Sequence, residues 1–170
     1  VFAEWLRAHN AEVEPEARVS FRGLDLYSMY ASIEAVLAYL DEVDPPTARV
    51  ARERYACLTP WIREPEVYGR LAITGRYRTC EGPVVEMLTE LLARQLEFSE
   101  RDGERFLDAV QNAWLVANAE QYYRVMYYGS VESWNLRDRH MFGTLQALLG
   151  FHGERAKAVV WEHNSHIGDA

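Results

Sequence analysis

Ala158-Val-Val-Trp-Glu-His-Asn-Ser-His166 is the stretch on which the fold reading turns. Four apolar residues follow Gly153 and Lys157 and give way at once to a polar cluster. That is the form of a strand buried on both faces of a parallel sheet, followed by the loop at its carboxyl end. A second segment, Arg18-Val-Ser-Phe-Arg-Gly-Leu-Asp25, sets Val19, Phe21 and Gly23 on alternate positions and reads as a short strand ending at Asp25. The two strands are expected to be parallel neighbours or near-neighbours. Asp25 and the segment from Glu162 to His166 then emerge at one sheet edge, where open α/β sheets place their ligand crevice. The fold class that follows is α/β, predominantly helical, with parallel strands and extensive helical insertions. Two strands do not make a stable sheet alone, so the chain reads as an incomplete part of a larger α/β domain.

Between and around these segments the period is helical. Phe2, Trp5 and Leu6 share a face of an opening helix, and Tyr30, Ile33, Val36 and Leu40 recur at three and four residues until Pro45-Pro46. Asp44 is placed to cap the next helix, with Val50 and Tyr55 facing inward. Thr59 to Pro83 holds several Pro and Gly residues without a sustained period and reads as a long loop with at most one helical turn. Helix resumes from Pro83 to about Phe98 and from Glu104 to about Tyr128, where Phe106, Val110, Trp114 and Ala117 form a stripe. A last helix begins at Ser130, turns Trp134, Met141, Leu145 and Leu148 inward, and ends at Gly150.

Composition narrows the function. The 170 residues make room for one ordinary domain, and 21 aromatic residues exclude a disordered chain. Eighteen Lys+Arg against 26 Asp+Glu leave a charge of −8, which repels a phosphate backbone and argues against a nucleic-acid partner. The longest apolar run, Ala35 to Leu40, is six residues, far short of a membrane span. The sequence has no signal peptide, which points to a cytoplasmic protein in which Cys57 and Cys80 stay reduced as small buried residues. It opens within a helical pattern and closes on a polar loop, so a piece of a longer protein is expected.

Chemistry gathers in two places. His163 and His166, directly after a buried strand, are placed to move protons near neutral pH and to converge with Asp25 on one concave site. A metal reading uses the same His-x-x-His spacing with Glu162 or Asp169, but the order Glu-His-Asn-Ser-His is not the helical zincin pattern. In Trp134-Asn-Leu-Arg-Asp-Arg-His140, Arg137 and Asp138 flank the inward stripe and should be half buried, whereas Arg139 and His140 point to solvent. Arg137 then either pairs internally with a carboxylate or lines the crevice as an anion or carbonyl clamp. A non-catalytic helical binding or scaffold module, with these groups as structural pairs, is the rival from another class.

Four ordered blocks carry a resemblance: Phe2-Ala-Glu-Trp-Leu-Arg-Ala-His-Asn10, Gly23-Leu-Asp-Leu-Tyr-Ser28, Ser133-Trp-Asn-Leu-Arg-Asp-Arg-His-Met141 and Val159-Val-Trp-Glu-His-Asn-Ser-His-Ile-Gly168. In these the sequence resembles the erythromycin esterase family, with Glu162 standing where Ala is common. The resemblance implies an α/β core with helical additions and a deep cleft. It also implies hydrolysis of a small-molecule ester, in the best-known members the macrolactone of a macrolide antibiotic, without a cofactor or an obligatory metal. By that likeness His163 and His166 are the catalytic histidines of this chain, and Asp25, Arg137 and Asn164 stand with them as substrate-binding residues. The water-activating His and its Glu belong to a Gly-Glu-x-x-His segment expected ahead of Val1. The chain is therefore expected to be the middle of a family member, partnered by missing portions of the same protein and inactive alone. Seventeen Arg against one Lys suits a GC-rich bacterial genome.

Overall fold

The computed structural model describes residues 1–166. Seven α-helices account for its regular structure: α1 (Phe2–Glu12), α2 (Met29–Val43), α3 (Pro45–Tyr55), α4 (Pro65–Ile73), α5 (Glu81–Ala93), α6 (Gln95–Val125) and α7 (Ser130–His152). Short 3-10 turns lie at Pro15–Ala17, Thr59–Trp61 and Asn164–His166. The axis is α6, on which α2, α4, α5 and α7 pack, while α3 leans on α2 and α5. Asp102 has non-helical angles (φ −159°, ψ 60°) and breaks α6 near its start, so the packing stripe begins after it, at Phe106.

The helices form for local reasons that the core then rewards. Along α2, Met29, Ile33, Val36 and Leu40 are buried at three- and four-residue spacing. Asp44 caps α3 by accepting from the Thr47 amide (3.2 Å) and hydroxyl (2.7 Å), and Pro45 and Pro46 occupy the first turn, where their missing N–H costs nothing. An Arg94 hydrogen bond, with those Thr47 contacts, holds the Asp44 carboxyl down at about 2. Inside α3 it is Ala48, Ala51 and Tyr55 that face inward, whereas Val50 is exposed, contrary to the sequence expectation.

The segment expected to be a long loop instead contains α4. Gly69 explains both the helix's position and its illegibility: a Cβ there would stand 1.8 Å from the Tyr123 carbonyl oxygen, so α4 meets α6 backbone to backbone. Beside it Tyr68 is fully buried. Its hydroxyl donates to Glu120 of α6 and accepts from the Cys80 amide (2.8 Å) at the head of α5. Glu120, itself without exposure, also takes the Arg124 Nε and Nη2 protons at 2.9 and 3.0 Å. Cys57 and Cys80 form a disulfide with Cα atoms 6.0 Å apart, enclosing α4 between bonded ends; the sequence reading favoured two reduced thiols.

The α/β expectation is overturned: among the described residues there is no strand. A strand exists only through pairing, and among the described residues neither segment meets another strand. Val19 has both backbone groups engaged by the Asn10 side chain, which donates to its carbonyl (2.8 Å) and accepts from its amide (2.9 Å) as a neighbouring peptide would. Arg22 ties the same segment to α6 through Glu104 (2.7 Å) and Asp108. Residues 157–163 carry no regular structure, with Val159 and Trp161 more than nine-tenths exposed. At the end of α7 the chain passes through Gly150 and stops at Gly153, whose φ of 82° suits glycine alone.

Because Tyr123 belongs to the backbone of the central helix and cannot yield, Gly69→Ala should lower stability by about 3 kcal/mol or more, the upper range of overpacking. Urea unfolding followed by circular dichroism measures it; Gly23→Ala, where a Cβ meets nothing within 4 Å, is the control expected to change little.

Candidate functional site

Helix α7 lies antiparallel on α6, close enough at Gly143 that a Cβ there would strike the Trp114 ring at 2.5 Å. Ser133, Leu136, His140 and Thr144 turn toward the interior. Arg137 and Asp138 flank that face at its open end. The Arg137 guanidinium donates through Nε to Asp25 Oδ1 (2.9 Å) and through Nη2 to Oδ2 (2.6 Å), a bidentate pair that fixes the segment before α2 against α7. It also stacks 4.7 Å from the Tyr27 ring centroid and 5.9 Å from that of Trp134. Partial burial pushes the Asp25 carboxyl up. The Arg137 and Leu26 hydrogen bonds, with the charges of Arg137 and His166, outweigh it and leave Asp25 below the usual carboxylate value. Arg137 is thus an internal partner first.

His166 adds the second half. Its Nδ1 lies 2.7 Å from Asp138 Oδ1, and its ring stacks on Trp134 at 4.6 Å with 26° between planes. Trp134 is therefore the common wall of the Arg137 and His166 groups, and it is 41% exposed where the sequence stripe puts it inside. His163 is exposed and meets Ser165, whose amide donates to Nδ1 at 3.2 Å and whose hydroxyl lies at 2.8 Å. An Nδ1 that accepts leaves His163 with its proton on Nε2. An Nδ1 facing a carboxylate leaves neutral His166 with a bare Nε2. The 163–166 turn thus carries a donor on exposed His163 and an acceptor on His166, whose side chain is largely covered, with Asn164 exposed between them. The structure brings Asp25, Arg137 and His166 together; His163 and Asn164 are linked to them only through the turn.

His140 was placed at the surface by its position on the helical wheel. It is 3% exposed, packed edge-on against Trp114 at 5.8 Å, and its Nδ1 is sealed without a partner among the described residues. Burial drives its pKa down to about 4, against a small opposing pull from Asp25. The four-residue spacing of Leu136, His140 and Thr144 carries the signal for it, overshadowed by the larger apolar residues on the neighbouring stripe. Arg139 is exposed as expected, donating to the Asn135 carbonyl at 3.0 Å.

Among the described residues no three His, Cys, Asp or Glu side chains gather as a metal site would need. Asp169, and the Gly168 that ends the fourth motif block, lie outside the described residues. No described helix is long and apolar enough to cross a membrane.

With that geometry in place, comparison with known proteins identifies the group. The erythromycin esterase family model matches residues 1–170, and the chain belongs to that family. No solved structure matches it.

A neutral, buried His140 makes the fold acid-sensitive. Between pH 6.5 and about 4 the unfolded chain binds a proton that the folded chain refuses, so stability falls as pH falls through that window and levels below it. The loss attributable to His140 is about 3 kcal/mol. Denaturant titrations from pH 7 to 4 should show this slope in the wild type and a flatter one in His140→Leu.

Proposed function

We propose that the protein hydrolyses a carboxylic ester of a small molecule, with the 163–166 turn and the head of α7 forming the wall against which the ester lies. Family membership supports the ester as substrate class. The observation that carries the reading is the seating of His166 between Asp138 and Trp134, beside the Asp25–Arg137 pair, because an imidazole held by a carboxylate and a ring face is prepared to exchange a proton at its free nitrogen.

In this reading His163 donates from Nε2 to the ester carbonyl oxygen and steadies the oxyanion that forms when water adds. His166 works at the alcohol side. Asp25, Arg137 and Asn164 shape the substrate's polar surroundings, Arg137 acting with the face left open by its carboxylate partner. Activation of the water falls to the His and Glu of the family's upstream segment. Water adds to the carbonyl carbon and yields a proton to that base; collapse then breaks the bond to the alcohol and releases the carboxylic acid.

The chain is accordingly one partial domain whose exposed apolar groups are covered by other portions of the same protein. Phe2 and Trp5 on α1 are 51% and 58% exposed and Phe21 beside them 74%, an aromatic group more extensive than a solvated surface favours. A macrolide is one candidate ester; the geometry favours no particular acyl group.

The test offers a macrolide and a simple aryl ester to this chain and to a longer protein that includes a Gly-Glu-x-x-His segment, each checked for folding by circular dichroism. Turnover by the longer protein alone, reduced about 10²-fold or more in His166→Ala, is the expected result. No hydrolysis by either contradicts the reading. Turnover by the 170-residue chain that vanishes in His166→Ala would move the base from the upstream segment to His166.

A further inference from the structure

We propose that Asp138 is a positioning residue, holding the His166 proton on Nδ1 so that Nε2 is the nitrogen that hands a proton to the leaving alcohol. The inference rests on the hydrolytic reading above and assigns within it a residue that the sequence reading treated only as a half-buried charge.

Three observations carry it. The Nδ1 to Oδ1 separation of 2.7 Å is that of a charge-assisted hydrogen bond, and a carboxylate in such a bond can only accept, so the proton sits on the ring. The ring cannot easily turn away, since Trp134 stacks on one face and the side chain is only 7% exposed. The neighbouring Arg137 does not compete for Asp138, because its Nε and Nη2 are both directed to Asp25. Nothing among the described residues occupies Nε2.

His166 enters the step as imidazolium, with Nδ1–H on Asp138 and Nε2–H toward the ester. As the tetrahedral intermediate collapses, the carbon–oxygen bond to the alcohol breaks, its electron pair stays on the leaving oxygen, and that oxygen takes the Nε2 proton. The ring returns to neutral without releasing Nδ1–H. The proton given up by the attacking water restores the imidazolium through solvent. Asp138 keeps accepting from Nδ1–H throughout, the general role of a carboxylate behind a catalytic imidazole.

A purely structural Asp138 would merely pin the 163–166 turn to α7, and the two roles separate in the tautomer. Nitrogen-15 NMR of the 170-residue chain above the imidazole's titration range should find His166 protonated on Nδ1 in the wild type. In Asp138→Asn the amide can donate to Nδ1, so the proton should move to Nε2; Asp138→Glu should restore the wild-type pattern. On any ester that the longer protein turns over, Asp138→Asn should lower kcat by about 10²–10⁴-fold with KM within a few-fold. A wild-type ring protonated on Nε2 overturns the proposal without reference to any variant, even should the Asn variant fail to fold. Turnover with a tautomer and kcat indifferent to Asp138→Asn also overturns it, while leaving the hydrolytic reading intact. The expected tautomer change in a protein that hydrolyses no ester supports the positioning by Asp138 and removes the hydrolytic reading alone.

Discussion

Arg137 lies four-fifths covered at the head of α7, and a guanidinium so placed needs a carboxylate that meets it with both oxygens. Asp25 does so. It comes from a segment that has no regular structure, and this pair is what brings the residues before α2 onto α7. Tyr27 follows two residues later and closes over the guanidinium, its hydroxyl 2.9 Å from that of Tyr122 on α6. Trp134 borders the same cation and supplies the surface on which His166 stacks. Without the pair, the extended segment, the tyrosine bridge and the seat of His166 lose their common reference.

The rest of the molecule provides rigidity for that arrangement. A second buried charge, Glu120, joins α4, the head of α5 and α6 through Tyr68 and Arg124, and burial together with the Glu120 hydrogen bond pushes the Tyr68 phenol well above its ordinary pKa. Both groups follow one rule: a polar side chain taken out of water is met by partners, Asp25 for Arg137 and the Tyr68 and Arg124 donors for Glu120. His140 departs from the rule on the nitrogen side. Its Nδ1 has no partner among the described residues, and burial keeps it neutral.

Much of the helical frame was legible because its signals are local. The three-and-four spacing from Tyr30 to Leu40 and the Asp44 cap before Pro45 require only neighbours in sequence. What was not legible depended on partners. Val19 and Phe21 alternate as a strand does, but alternation does not provide a pairing edge, and Asn10 took the hydrogen bonds of Val19 instead. Gly69 read as a turn residue because its value is the absent Cβ at a helix crossing, which no local pattern records. At the site, Arg137 and Asp138 follow from their helical flank, and His163 and His166 from family resemblance and from their place after a strand that the described fold does not contain. The pairings Arg137–Asp25 and Asp138–His166 span 112 and 28 residues and could be seen only in the fold.

Asp25 and Arg137 thus act as one unit on which the site is assembled. A double-mutant cycle with Asp25→Asn and Arg137→Gln, read by denaturant unfolding at neutral pH, tests it directly. Both groups keep some contact with solvent, which screens part of their attraction, so the coupling should be about 1–2 kcal/mol. Effects that add to within about 0.5 kcal/mol would mean that the two residues act independently, and the account of how the site is assembled would fail.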